Sequence, residues 1–298
     1  MVAKEQIESY FRQLQDDICS ALEAADGQGK FQQDLWQRPQ GGGGRTRIIK
    51  GQHIEKGGVN FSAVFGDMPP AVAKGLEMDG GEFFASGVSI VLHPNNPLVP
   101  IIHMNVRYFE SNDQWWFGGG IDLTPHYIEP EQARFFHEQL KQVCDQHHPD
   151  FYAKYKTWAD DYFFLPHRKE TRGVGGIFFD RLNEKKGLTK EACFAFVRAV
   201  GEAFAPTYIH LLHLNKDKVF GEQEKAWQRL RRGRYVEFNL VWDRGTKFGL
   251  HTGGRTESIL MSLPPMASWA YDHQPTIGSK EAATLALLRK DVDWINHK

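Results

Sequence analysis

Phe83 to Phe109 reads FFASGVSIVLHPNNPLVPIIHMNVRYF, two alternating runs joined by a loop holding three prolines and two asparagines. Alternate residues of a strand face opposite ways. Val88, Ile90 and Leu92 therefore share one face of the first strand, and Ser89 and His93 share the other. On the second strand Ile102, Met104 and Val106 oppose His103, Asn105 and Arg107. The loop residues turn the chain and end the strands. One face of the hairpin is apolar. The other groups a hydroxyl, two imidazoles, a carboxamide and a guanidinium, with none of the Lys, Glu and Thr usual on a solvated face. The apolar QWWFGGGIDL follows at once. Ionisable groups gathered at a cleft suit anion binding and proton transfer.

Working outward, 298 residues allow one large domain with a substantial core. The 36 basic and 37 acidic side chains nearly cancel, so no global field points to nucleic acid or a membrane surface. Thirteen histidines favour proton or metal chemistry. Cys19, Cys144 and Cys193 form no CxxC pair, which argues against a disulfide framework or zinc ribbon. The charged N-terminus lacks the apolar stretch of a secretory signal, and no run of 18 apolar residues spans a bilayer. A cytoplasmic protein is the simplest expectation.

Ile7, Phe11, Leu14, Ile18 and Leu22 predict an amphipathic helix ending near Gly27. Glycine-punctuated strands follow as far as WWFGGGIDLTP. Helical patterns cover Pro130–His147, Pro149–Phe164, Thr189–Leu214 with Pro206 as a kink, and Glu222–Arg232. Alternation returns at Tyr235–Trp242, a further strand is expected at Ser258–Leu263, and a helix over Lys280–Asn296 closes the chain. The predicted fold is α+β, one domain over residues 1–298 around a mixed or antiparallel sheet.

Four imidazoles, His93, His103, His137 and His167, could bind a metal, hydrogen-bond or move protons, and their spacing matches no compact ligand motif. Gly253, Gly254 and Arg255 combine a backbone-exposing turn with a guanidinium, which suits a carboxylate. With Arg107 and the basic loop Arg168–Arg172 they point to a substrate bearing several carboxylates. No phosphate-binding glycine loop precedes a helix. Asp180 and Asp122 follow apolar residues, so each is expected to be partly buried. Either a paired structural carboxylate or an acceptor for a pyrrole-type N–H fits.

EKGGVNFS (Glu55–Ser62), the hairpin itself, WWFGGGIDLTP, KTWADDYFFLPHR, RGVGGIFFD, YVEFNLVWDRGTKFGL and GGRTESILMSLPP together resemble the oxygen-dependent coproporphyrinogen III oxidases, in order from about Phe31 to Leu263. The resemblance implies a large, mostly antiparallel sheet flanked by helices on both faces. It implies a homodimer, with residues 235–270 at the contact, and conversion of coproporphyrinogen III to protoporphyrinogen IX in haem biosynthesis. O2 is the co-substrate, CO2 and H2O2 are released, and no organic cofactor is needed. It further implies substrate contacts at Ser89, Asn105, Val106, Arg107, Gly253, Gly254 and Arg255, and a proton donor at His103. Asp180 corresponds to a residue proposed to handle the pyrrole N–H. A divalent metal at His93, His103, His137 and His167 is implied for some bacterial members and not for others. Asn95, Leu98, His126, Arg181 and Gly58 depart from the usual pattern. Two rival readings are a metal-dependent oxygenase or hydrolase built on the histidines and a non-catalytic tetrapyrrole carrier.

Overall fold

The alternation of the hairpin extends across a seven-stranded antiparallel sheet. The computed structural model describes residues 2–184 and 187–297. Its strands β1 (Phe31–Gln37), β2 (Gly42–Ile49), β3 (Ile54–Asp67), β4 (Glu82–Pro94), β5 (Ile101–Ser111) and β6 (Gln114–Thr124) pair in chain order. A short hairpin, β7 (Phe164–Leu165) with β8 (Glu170–Thr171), precedes β9 (Gly175–Leu182), which pairs with β6 and closes the sheet. Sequential antiparallel strands need only local turns.

Val88, Ile90, Leu92, Ile102, Met104 and Val106 all lie in the main core, as predicted. Four helices cover this back face: α1 (Lys4–Asp26), α3 (Pro130–Asp145), α4 (Phe151–Tyr162) and α5 (Lys190–Asn215). The Ile7–Leu22 stripe of α1 is buried there. α5 remains one helix across Pro206. Asp26, at the end of α1, ties the helix to the sheet. Its carboxylate accepts N–H groups from Gly29, Gln52, His53 and Ile54 at 2.7–3.0 Å. Burial alone would raise its pKa, and those four donors hold it below the ordinary value instead.

The front face is covered only around its rim. The short α2 (Pro70–Leu76) packs with Phe83, Phe109 and Trp116 at one end. At the other lie α6 (Glu222–Glu237), a π-helical turn over Phe238–Trp242, α7 (Arg244–His251) and α8 (Thr256–Leu260). Helices thus flank both faces of an α+β fold.

Two predicted strands are helical. Tyr235–Trp242 falls at the end of α6 and in the π turn, and Ser258–Leu263 overlaps α8. Trp227, Leu230, Arg231, Arg234, Tyr235 and Phe238 are the buried stripe, spaced three and four apart. Buried arginines inside that stripe disguised its helical period. Leu240, Val241 and Trp242, read as inward-facing or alternating, are exposed. α9 (Lys280–Leu287) is shorter than the expected Lys280–Asn296: Leu288 leaves the helical region and Asp291 adopts a positive φ.

Candidate active site

The register of the sheet builds the site. Asp34, Thr46, Asn60, Ser89, Asn105 and Gly120 stand opposite one another in a single row across β1 to β6. The adjacent row on the same face is Trp36, Gly44, Ser62, Gly87, Arg107 and Gly118. The next row the other way holds Gly58, Val91, His103, Asp122 and Gly176. Gly87 and Ser62 keep the middle of this face low, while Gly118 is buried under Arg107 and Asp180 and Gly120 against Phe178. Ser89 is exposed, and Asn105 and Arg107 are half-buried. The expected cleft is open to solvent at Ser89.

Arg107 is held in place. Its Nη1 donates to Asn105 Oδ1 (2.7 Å) and its Nη2 to Asp180 Oδ1 (2.9 Å). The guanidinium crosses Gly118 to reach Asp180 on β9: a Cβ on Gly118 would sit 2.6 Å from Asp180 Oδ1 and 2.8 Å from Arg107 Nε. Asp180 therefore lies beside Arg107 at the edge of this row, partly buried as expected.

Arg255 reaches the same row from above. It donates to Ser258 Oγ (3.0 Å) and forms an ion pair with Asp34. The amides of the preceding turn are spent elsewhere. Gly254 N–H donates to Gly249 O, and Gly253 N–H approaches Leu250 O, capping α7. The expected carboxylate clasp is thus reduced to the guanidinium. Val106 points its side chain into the back-face core and is fully buried, so that side chain cannot touch a ligand on the front face.

His103 lies deeper. Its ring stacks on Tyr235 at 5.0 Å, and Tyr235 meets His93 edge-on at 5.2 Å. Arg172 donates to both Asp122 oxygens (2.8 and 2.7 Å) and lies over the rings of Phe163, Phe238 and Tyr235. His103 Nδ1 is 3.4 Å from Asp122 Oδ2, and neither ring nitrogen has a hydrogen-bond partner. Burial, and next the Arg172 charge, push the His103 pKa down against the pull of Asp122, so the ring is neutral at pH 7. Burial would raise the Asp122 pKa, but Arg172 and then His103 keep it low and the carboxylate ionised. The geometry gives a neutral imidazole beside a buried ion pair, able to hold one proton at either nitrogen.

The four imidazoles do not come together. His93 donates to Ser262 O (2.8 Å) near His103. His137 belongs to the back-face side, donating to Val174 O (2.9 Å) and accepting from Tyr152 (3.0 Å). His167 accepts from Trp242 Nε1 (2.8 Å), so its other nitrogen donates to Glu237 (2.9 Å). Both nitrogens of His137 and of His167 are thus occupied. Among the described residues no group of three or more His, Cys, Asp or Glu side chains could hold a metal ion. As placed, these residues do not fit a four-histidine metal centre.

The basic loop is also committed internally: Arg168 binds Glu237 and Arg172 binds Asp122. Sequence reasoning missed Asp34, Thr46, Asn60 and Tyr235. The first three required the sheet register, and Tyr235 was hidden by the mistaken strand. Of the departures, Gly58 has a structural counterpart. A Cβ there would lie 1.9 Å from Met261 Sδ, which fills the space left by the missing methyl.

A seven-stranded sheet that carries Ser89, Asn105 and Arg107 on one face, with Arg255 above the same face and His103 deeper, forms the candidate site. The coproporphyrinogen III oxidase family model matches residues 6–294. The chain belongs to that family. A relative from Glycine max, the chloroplastic oxygen-dependent coproporphyrinogen-III oxidase, is 50% identical over 305 aligned positions, covering 97% of this chain and 78% of the relative.

Proposed function

We propose that this chain catalyses the O2-dependent oxidative decarboxylation of coproporphyrinogen III to protoporphyrinogen IX in haem biosynthesis. Each of two propionates becomes a vinyl group: it loses CO2 from the carboxylate and a hydride equivalent from the β-carbon, and O2 takes up two electrons and two protons as H2O2. The observation that carries this reading is the polar pair Ser89 and Asn105, adjacent on one face of the sheet, with the Arg107 and Arg255 guanidiniums on the same face.

Porphyrinogen pyrroles are electron-rich, and more so as their N–H is withdrawn, so the substrate itself can reduce O2. Asp180 offers Oδ2 as the acceptor for that N–H, its other oxygen being held by Arg107. Arg107 and Arg255 anchor carboxylates that do not react, and Ser89 and Asn105 hydrogen-bond the ring or its arms. Gly253 and Gly254 supply the turn that presents Arg255. His103 fills the proton-donor role as a relay, its neutral ring, stacked on Tyr235, giving the proton of one nitrogen as the other nitrogen takes one up. The protein contributes orientation and charge neutralisation, the larger share of catalysis where the substrate brings its own reducing power.

The reading includes a homodimer formed through residues 235–270. It is supported by the exposure of Leu240, Val241, Trp242, Met266 and Trp269 in that stretch, since grouped exposed apolar side chains mark interaction surfaces. A cytoplasmic location is supported by three free, buried cysteines. No described helix is long and apolar enough to cross a membrane. The test is CO2 release from coproporphyrinogen III under air and under argon, each with and without chelator. Equal release in air and argon would overturn the oxygen-dependent reading.

A further inference from the structure

The row that carries Ser89 and Asn105 continues into three residues assigned no role so far. Asp34, Thr46 and Asn60 occupy its β1, β2 and β3 positions. Each of them touches the first turn of α8. Asp34 pairs with the Arg255 guanidinium. Thr46 Oγ1 lies 3.1 Å from Ser258 Oγ, the same hydroxyl that accepts from Arg255 Nη1. Asn60 Nδ2 donates to Ser258 O at 2.9 Å and leaves its own buried Oδ1 without a partner. A buried carbonyl left unpaired is costly, and a residue chosen only for packing need not bear that cost.

We propose that Asp34, Thr46 and Asn60 are positioning residues for Arg255. They dock the start of α8 onto the same register row that carries Ser89 and Asn105, and so set the span between the Arg255 and Arg107 guanidiniums. Neighbouring strands lie about 4.8 Å apart, so Thr46 on β2 and Asn105 on β5 are separated by roughly 14 Å. The sheet is a ruler between the two anchors. A flexible dicarboxylate adapts to any span, whereas a rigid macrocycle with carboxylates at fixed points does not. The inference rests on the reading above, in which Arg255 anchors a substrate carboxylate.

The test is a set of double-mutant cycles on the full-length protein, with coproporphyrinogen III as substrate under air. Asp34→Ala and Asn60→Ala are each made alone and in the Arg255→Ala background. Arg255→Ala is expected to raise KM by about tenfold or more, the scale of one lost charge-assisted contact. Each single positioning variant is expected to raise KM by about fivefold to tenfold with kcat within about twofold of wild type. In the Arg255→Ala background the same variants add no further KM change, and Asp34→Glu restores most of the loss. Asp34 lies exposed on an edge strand, so that arm survives even if Asn60→Ala fails to fold. An unchanged KM in Arg255→Ala overturns the anchoring role and this inference with it. A raised KM in Arg255→Ala, with positioning effects that are absent or simply additive, overturns the inference alone.

Discussion

Gly118→Ala separates the two jobs that the β6 glycines perform. The new methyl would lie 2.6 Å from Asp180 Oδ1, 2.8 Å from Arg107 Nε and 2.9 Å from Arg107 Cζ. Both side chains can yield, because their ends are flexible and about a third exposed. Restoring ordinary contact moves the guanidinium by roughly 0.5–1 Å. Breaking so exposed a pair costs the fold only about 0–1 kcal/mol after solvent screening, a Tm change of no more than roughly 3 °C. Displacing a substrate anchor by that distance lowers kcat/KM by roughly 10- to 100-fold, or about 1.4–2.7 kcal/mol. Gly119→Ala is the control. Its methyl points the other way, 2.8 Å from the Phe179 ring in the core, and overpacking there costs about 1–3 kcal/mol of stability. CO2 release under air and thermal unfolding are measured on both variants. A Gly118→Ala enzyme within about threefold of wild-type kcat/KM, or one destabilised as much as Gly119→Ala, would refute the reasoning.

Asp26→Ala strands four backbone N–H groups and is expected to cost about 3 kcal/mol, seen as a fall in Tm of roughly 5 °C. Because the Asp26 pKa is depressed, its contribution is whole above the ordinary carboxylate value of 3.8 and disappears as pH falls through the lower folded value. A Tm unchanged at pH 7 would count against the cap. Burial, and next the Arg232 charge, lowers the His126 pKa from 6.5 to about 3. Burial likewise lowers that of His137 from 6.5 to about 4. These rings stabilise the fold fully above pH 6.5, and the unfolded chain gains by taking up protons below it. At pH 5 each costs roughly 2 kcal/mol, so together they lower Tm by roughly 6 °C between pH 7 and pH 5; a flat profile would exclude their burial as neutral rings. Val241→Glu places a charge on the exposed apolar stretch. Light scattering is expected to give the mass of one chain for this variant and of two for wild type, and a dimeric variant would remove the segment from the interface.

The faces of the β4–β5 hairpin were legible because a period of two admits no compromise. Once Val88, Ile90 and Leu92 face the core, Ser89 and His93 must face away. The same rule could not reach Asp34, Thr46 or Asn60. Their membership of the Ser89 row depends on the register of up to three successive strand pairs, which turns and a bulge at Ile54–Lys56 decide. The mistaken strand at Tyr235–Trp242 has a different origin. Arg231, Arg232 and Arg234 are buried and pair with Glu170, Glu55 and Glu237, so a hydropathy pattern scores the inner face of α6 as polar. The four histidines divide because composition records no face. His103 is on a strand's front face, and His137 is on a helix that packs behind the sheet.

Both guanidiniums proposed as anchors are already paired, Arg107 with Asp180 and Arg255 with Asp34. An unpaired arginine on an open face would be equally charged but free to swing, and ordering it would count against substrate binding. A carboxylate at the edge of each pair fixes one side of the guanidinium fork while leaving its other donors available. Both pairs are partly exposed, so keeping or yielding them costs little. The buried Asp122–Arg172 pair differs in kind. Loss of one partner there leaves an uncompensated charge against Tyr235 and His103, a penalty of about 3–5 kcal/mol. On the proposed reading, the site combines labile pairs where a ligand's charge is received with a rigid pair beside the imidazole. That division follows burial alone: about a third exposed at Arg107 and Arg255, and near 5% at Arg172.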